Sequence, residues 1–433
     1  MNEEEDFVLV QHHDAILPSE PKYMGEITDF IKSITDDLSA INTKIHDNPE
    51  VGYEEHKAHA LLTNFLKSRQ DWKVTTSAYG IDTAWVAVYD SGKRGPVVSF
   101  NVEMDALPGL GHACGHNLIA TSSLAAALAT ASVMRRHSLR GKIVLFGTPA
   151  EEGGGGKIRL LRAGAYKNNG VDISLISHPG ITHDGALTCT SAFTSFRCEY
   201  FGKASHAARS PWLGINALDA LIIAYNALSV LRQQTMPGDV IQGHITDGGL
   251  APNIIHAYAA GTFVVRANTA PRLEELRRKV DACFRAGAEA TGARLKATEV
   301  MTYLDHVPNR VLGASYARYW NSLNPPSRIQ PDRITRVSAS TDQGDVSHVL
   351  PSLSVSFAVP PGPKGMGPHS PEFEKVAGTK EAFGRCLRVG EALAGTAVDV
   401  LIVPGLLEEV KEQWKKDMEA TDGSVCSPHV YPT

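Results

Sequence analysis

The sequence predicts an α/β chain interrupted by a smaller α+β insert, and three observations carry that expectation. The first is length: 433 residues exceed one ordinary core and, at about 150 residues per domain, correspond to two or three domains. The second is an alternation of strand-like and helix-like runs between Thr83 and Ser177, the pattern of a largely parallel sheet covered by helices. The third is a change of texture near Thr190, where the helices become long enough to cover one face of a separate four-stranded sheet. The implied division is an N-terminal extension over 1–25, a main α/β domain over 26–189 and 306–420, an insert over 190–305, and a polar tail over 421–433.

Each element has a local reason. Ile27, Phe30, Ile31, Ile34, Leu38 and Ile41 recur at three-and-four spacing, which predicts one amphipathic helix over Glu26 to Ile45. Pro49 in His46-Asp-Asn-Pro-Glu50 breaks the chain before a second helix over Glu54 to Lys67. Strands follow at Thr83 to Tyr89 and Val97 to Val102, a helix from Leu118, a strand at Lys142 to Gly147, a helix near Lys157 to Arg162 and a strand at Val171 to Ser177. The insert reads as a strand Phe193 to Phe201, a helix Ile215 to Gln233, strands near Asp239 to Ile245 and Ala257 to Ala267, a helix Arg272 to Ala290 and a strand Arg294 to Thr302. The main domain resumes near Pro308, and a final helix covers Leu406 to Ala420.

Composition narrows the function classes. A hydrophobic share of 43% with 21% charged residues is globular in balance. Lys+Arg 42 against Asp+Glu 47 leaves a net charge of −5, so no overall positive field attracts phosphate backbones and nucleic acid is not expected as a partner. Six cysteines without framework-like spacing suit a reducing compartment. The acidic start, Met1 to Glu20, lacks the basic-then-apolar order of a signal peptide, and the expectation is a cytoplasmic protein. Leu118 to Val133, rich in Ala, Ser and Thr, reads as a buried helix rather than a membrane span.

The chemistry concentrates where the predicted strands end, as it does in open α/β sheets. Cys114 and His116, two apart in Gly111-His-Ala-Cys-Gly-His-Asn117, would point to one side of an extended segment and suit a borderline metal such as Zn²⁺. Alone, such a pair is more often ordinary buried structure. Glu151 and Glu152 follow an apolar strand; they are either a solvated loop or a metal ligand beside a general base. The glycines after them fail the phosphate-loop register, since Glu151 stands at the first Gly and Ile158 at the Ser/Thr. His178 closes another strand, and His369 lies in the Gly/Pro-rich segment Pro360 to Pro371. Either could be a satisfied histidine, but with Cys114, His116 and Glu152 they make five candidate ligands at loop ends, a number able to hold two metal ions.

Five ordered motifs carry a resemblance: Glu103-Met-Asp-Ala-Leu-Pro-Gly109, Gly-His-Ala-Cys-Gly-His-Asn117, Gly147-Thr-Pro-Ala-Glu-Glu152, Gly202-Lys-Ala-Ser-His206-Ala-Ala and Pro252-Asn-Ile-Ile255. Over roughly Glu26 to Gly395 the chain resembles the aminoacylase/carboxypeptidase family of metallopeptidases. Within it, the chain is most similar to the branch of Xaa-Arg (β-alanyl-lysine) dipeptidases and p-aminobenzoyl-glutamate hydrolases. The resemblance implies a dinuclear-metallopeptidase catalytic domain with a mixed sheet flanked by helices, interrupted by a ferredoxin-like dimerisation domain that acts as a lid. It implies two divalent metal ions, Zn²⁺ foremost with Mn²⁺ or Co²⁺ as alternatives, held by Cys114, His116, Glu152, His178 and His369. It further implies Glu151 as general base, with Asp105 orienting the Cys-Gly-His loop.

By the same resemblance His206 reaches the partner subunit's active site to stabilise an oxyanion, with a loop-capping histidine as the alternative. Asn253 and Arg266 correspond to the groups that hold a substrate carboxylate, for which a planar guanidinium is suited. The implied activity is hydrolysis of an amide bond in a small dipeptide or N-acyl amino acid, in a homodimer. Leu218, Ile222, Tyr225, Leu228 and Leu231 offer a helical stripe for the contact. Asn117 stands where the related auxin-conjugate and hippurate hydrolases carry Asp, and Ser340 to Asp345 and Gly367 to Ser370 keep only part of the family pattern. Amide condensation on the same scaffold and a metal-free binding or regulatory homologue are the alternatives. A serine hydrolase built on Ser205-His206 lacks the Gly-x-Ser-x-Gly elbow.

Overall fold

A computed structural model describes residues 17–18, 20–325, 327–361 and 365–420; the expected tail over 421–433 and most of the 1–25 extension lie outside the described residues. The first helical stretch is two helices, α1 (Met24–Ser33) and α2 (Thr35–Asp47), where the sequence predicts one. The apolar spacing runs through, but the Ser33 and Thr35 hydroxyls donate to the carbonyls of Phe30 and Ile31, and Ile34 leaves helical geometry with φ −114°. Next come α3 (His56–Lys67) and β1 (Trp72–Thr76), an exposed edge strand that the sequence pattern does not predict. They lead to β2 (Trp85–Asp90), β3 (Val97–Glu103), α4 (His116–His137), β4 (Lys142–Thr148), α5 (Gly156–Arg162), α6 (Ala165–Asn168), β5 (Ile173–Gly180) and β6 (Leu187–Cys189).

The chain then leaves for the insert, made of β7 (Ala192–Phe201), β8 (Ser205–His206), α7 (Ala217–Leu231), β9 (Val240–Asp247), β10 (Ile254–Ile255), β11 (Tyr258–Ala267), α8 (Ala270–Thr291) and β12 (Arg294–Tyr303). It returns through α9 (Arg310–Ser322), β13 (Ile334–Arg336), α10 (Gln343–Ser347), β14 (Ser352–Ala358), α11 (Pro371–Ala377), α12 (Lys380–Ile402) and α13 (Leu406–Glu419).

The large sheet is mixed, with strand order β1-β2-β4-β3-β5-β14. β4, β3, β5 and β14 run parallel, while β2 is antiparallel to β4 and β1 to β2. The four parallel strands therefore release their carboxyl ends at one edge, so the segments after Glu103, Thr148 and Ala358 and the end of β5 meet there.

Helix α4 is buried on nearly all sides. By length and composition it could cross a bilayer, yet 94% of its apolar window is buried inside the protein, as expected of a helix sandwiched within a core. Its small residues permit the close approach of α12: a Cβ added to Gly390 would lie 3.0 Å from both Ala125 Cβ and Ser122 O.

The insert sheet is antiparallel with order β12-β7-β11-β9. Numbering only the four strands of this sheet in chain order, it reads 4-1-3-2, the split β-α-β arrangement of the ferredoxin-like domain that the resemblance implies. Asn216 and Thr269 accept backbone hydrogen bonds at the starts of α7 and α8. The expected apolar stripe of α7 divides: Leu228 is buried and Leu218 and Leu231 pack on the insert's own core, while Ile222 and Tyr225 are exposed beside Ile223 and Val230. The sheet claims part of the stripe because α7 must cover one of its faces.

Candidate metal centre

Three chain reversals bring the ligand types together. Cys114 lies in a turn and His116 is the first residue of α4, so the two do not share the extended segment that their spacing suggests. Between them Gly115 takes φ 81°, and a Cβ there would come within 2.6 Å of Pro179 Cγ, so only glycine fits the turn. Glu151 and Glu152 follow β4 by way of Ala150, itself at φ 55°. His178 belongs to β5 rather than following it, and His369, at φ 68°, lies just ahead of α11.

Donor atoms of Cys114, His116 and His178 lie within 4.8 Å of one another, as do those of Cys114, Glu152 and His369. Cys114 is common to both triads. Cys114 Sγ is 3.4 Å from His178 Nε2, and Glu152 Oε1 is 3.2 Å from His369 Nε2 and 3.8 Å from His116 Nε2. Glu151 Oε2 stands 3.8 Å from His116 Nε2. All five predicted ligands and the predicted base thus converge.

Asp105 braces the cluster from two sides. Its Oδ1 is 3.1 Å from His116 Nδ1 and its Oδ2 accepts from the Glu152 amide at 2.9 Å. A carboxylate only accepts, so Nδ1 carries the proton and Nε2 is turned to the centre. The resemblance assigns Asp105 to the Cys-Gly-His loop; the structure adds the Glu152 loop.

The donor set fits divalent metal. Buried His116 Nε2, Glu103 Oε2 and Glu152 Oε1 make no hydrogen bond, although buried polar atoms are ordinarily satisfied. Thiolate, imidazole and carboxylate together suit Zn²⁺ or a neighbouring transition metal. The electrostatics agree in sign. Burial opposes a charged His116, yet the Asp105 and Glu103 carboxylates hold it well above its ordinary value, so Nε2 sits where a cation, proton or metal, is favoured. Burial and the Glu152 charge push the Cys114 thiol well up, leaving the thiolate dependent on a cation. Burial, with the carboxylates of Glu103, Asp342 and Glu152, raises Glu151 well above the usual carboxylate range.

Glu103, Lys157 and Asp342 contribute as well, although the sequence reading gives none of them a role. Lys157, fully buried, donates to Glu103 Oε1 at 2.7 Å and to Asp342 Oδ1 at 2.5 Å, and its amide donates to Asp342 Oδ2. Glu103 Oε2 is in turn 3.3 Å from His116 Nε2. The available signal was an acid closing a buried strand, Val97–Glu103; nothing local pairs it with Lys157 or Asp342.

Among the described residues, His206 belongs to none of these donor groups. His206 is exposed, and its Nδ1 accepts from the Ala208 and Arg209 amides at 3.2 and 3.1 Å. The Ser205 hydroxyl donates to the Ser210 carbonyl, which occupies it and leaves no serine–histidine dyad. Asn253 is exposed and gives its carbonyl to the Ala207 amide. Arg266 donates to Ser340 Oγ at 2.8 Å and, among the described residues, has no carboxylate within ion-pair distance. Asn117 faces away from the centre, donating to Asn42 Oδ1 and the Ala377 carbonyl.

Comparison with known proteins bears on the family and the fold. The chain is 39% identical over 389 residues to the Xaa-Arg dipeptidase of Mus musculus, covering 87% of this chain and 89% of that protein. It is 27% identical over 460 residues to a p-aminobenzoyl-glutamate hydrolase polypeptide of Escherichia coli (strain K12), covering 89% and 94%. Its fold matches a dinuclear metal binding peptidase from M20 family of Bacillus subtilis, with a TM-score of 0.64 at 18% identity over 85% of this chain and 99% of that one. Residues 99–394 match the profile of Peptidase family M20/M25/M40, a span running from β3 into α12, and the chain belongs to that family.

Proposed function

We propose that this chain hydrolyses an amide bond in a small dipeptide or N-acyl amino acid with a free carboxylate, using two divalent metal ions, Zn²⁺ foremost. One observation carries the reading: two donor triads share Cys114, and buried donor atoms within them lack hydrogen bonds beside the Glu151 carboxylate. Cys114, His116 and His178 would hold one ion, and Cys114, Glu152 and His369 the other. Bound there, the ions supply Lewis acidity toward the carbonyl and raise the acidity of water.

The chain's own residues do the rest. Glu151, made more basic by burial and by its carboxylate neighbours, takes the proton of the attacking water and returns it to the leaving amine. Asp105 keeps the His116 ring and the Glu152 loop in register. Arg266, half-buried and without a carboxylate partner among the described residues, meets the substrate carboxylate, assisted by Asn253. His206, in none of its own chain's donor groups, serves the partner's site in a homodimer, and exposed Ile222, Ile223, Tyr225 and Val230 supply apolar surface for the contact. The dipeptidase name of the mouse relative supports the substrate class.

The test is metal analysis of the purified protein combined with a hydrolysis screen. Dipeptides ending in Arg or Lys and N-acyl amino acids are offered with Zn²⁺, Mn²⁺ or Co²⁺. Two equivalents of metal and carboxylate-dependent turnover are expected. Absence of bound metal together with absence of hydrolysis would refute the reading.

A further inference from the structure

Three adjacent strands of the insert place Arg266, Phe193 and Tyr303 in one row. Arg266 of β11 pairs with Phe193 of β7, and Phe193 pairs with Tyr303 of β12. The side chains meet as the register requires: the Arg266 guanidinium lies over the Phe193 ring at 4.9 Å, and the Phe193 and Tyr303 rings stack edge to face at 5.1 Å. A bulge between Glu299 and Met301 shifts β12 by one residue and sets Tyr303, rather than Thr302, opposite Phe193.

The far end of the row touches the loop that carries the base. The Tyr303 hydroxyl donates to the Glu151 carbonyl at 2.8 Å and accepts from the Gly155 amide at 3.0 Å. Tyr303 is 3% exposed, so water does not replace these bonds. The Tyr303 hydroxyl therefore bridges the two ends of the loop Glu151–Gly155 from the insert, while the Tyr53 hydroxyl of the main domain donates to the Gly154 carbonyl within it at 2.6 Å.

We infer that Tyr303 is the insert's positioning residue for the Glu151 loop, beside Asp105 and Tyr53 of the main domain, and that the row Arg266–Phe193–Tyr303 couples carboxylate binding in the insert to the placement of the base. The inference rests on the reading of Glu151 and Arg266 given above. A substrate whose carboxylate engages Arg266 draws on the same packed row that holds Glu151, so a ligand without a carboxylate forfeits alignment as well as affinity.

The experiment compares Tyr303→Phe, Arg266→Lys and the double variant in the metal-loaded full chain. Tyr303→Phe keeps the ring stack and removes only the two hydrogen bonds. The expected result is a fall in kcat of about 10- to 100-fold, with KM within about threefold of wild type and the metal content unchanged. Hydrogen exchange at the amides of 151–156 should accelerate in the same variant. Arg266→Lys should lower kcat as well as raise KM, and the double variant should lose less kcat/KM than the product of the single losses. Multiplicative losses overturn the coupling, and an unchanged kcat with unchanged exchange overturns the positioning role. If wild type shows no hydrolysis, the proposed function fails separately. Exchange with and without N-acetylglycine then decides the coupling: protection of 151–156 that Phe193→Leu abolishes supports it, and no protection overturns it.

Discussion

Lys157 and Asp342, 185 residues apart, form an ion pair with neither side chain exposed, and Asp342 also accepts from the Lys157 amide. Glu103 is the second partner of the same ammonium, so one buried cation joins β3, α5 and the start of α10 behind the donor cluster. Burial would lower the Lys157 ammonium, but Asp342 and Glu103 hold it well above its ordinary value. Lys157→Met leaves two buried carboxylates without their cation, and a loss of about 3–5 kcal/mol is expected. Urea unfolding checks it; a loss below about 1 kcal/mol would mean that the carboxylates find other partners.

Glu151→Gln should bind metal as wild type does and lose turnover by about 10²- to 10⁴-fold, because the amide keeps the shape and cannot take the proton. Metal analysis alongside kcat distinguishes the roles. Loss of metal with surviving chemistry would exchange Glu151 with Glu152.

Cys114 is shared by both donor triads, so Cys114→Ser should weaken both ions at once. At metal 100-fold above Kd, wild type gains about 2.7 kcal/mol of stability per site that chelation removes. In Cys114→Ser, titration calorimetry should show at least one site lost, and thermal unfolding should respond little to a chelator. Two intact sites in this variant would contradict the shared-ligand geometry.

Subunit sharing is tested by mixing His206→Ala with Glu151→Gln, each inactive alone. In a mixed dimer one site combines an intact Glu151 with the partner's intact histidine, so about half the subunits of each mixed dimer should work. Demonstrated exchange without recovery would leave His206 as the loop cap that its Ala208 and Arg209 contacts describe.

Asp345 makes stability fall as pH rises. Burial pushes its carboxyl up to about 7, against the partial relief of the Leu304 amide. Between the unfolded value near 3.8 and the folded value near 7, the folded state binds more protons than the unfolded one, so stability falls with pH across that window. Above it the cost is complete, about 2–4 kcal/mol. Asp345→Asn should therefore raise the melting temperature at pH 8 and do little at pH 4. Equal effects at both values would show that Asp345 does not titrate in this window.

Local pattern was enough to specify the two kinds of sheet and to single out the candidate donors, whose roles it left open. Strand and helix periods are local, so the alternation up to Ser177 and the insert's strand and helix order are legible directly. Glu151, Glu152 and His178 sit at or beside strand ends, Cys114 and His116 in the Gly-rich turn that opens α4, and His369 in a Gly/Pro-rich segment, so local pattern singles them out, while their joint role came only with the family resemblance. Folding in three dimensions settled what depends on distant partners. Lys157 has the composition of a surface residue and is buried only because Glu103 and Asp342 arrive from elsewhere in the chain. The break at Ile34 turns on two hydroxyls that favour local carbonyls over a continuous helix. The division of the α7 stripe was set by which face the sheet covers. Tyr303 reaches the Glu151 loop because a single bulged residue sets the register of β12, and a one-residue register is fixed by packing across strands, which no local pattern encodes.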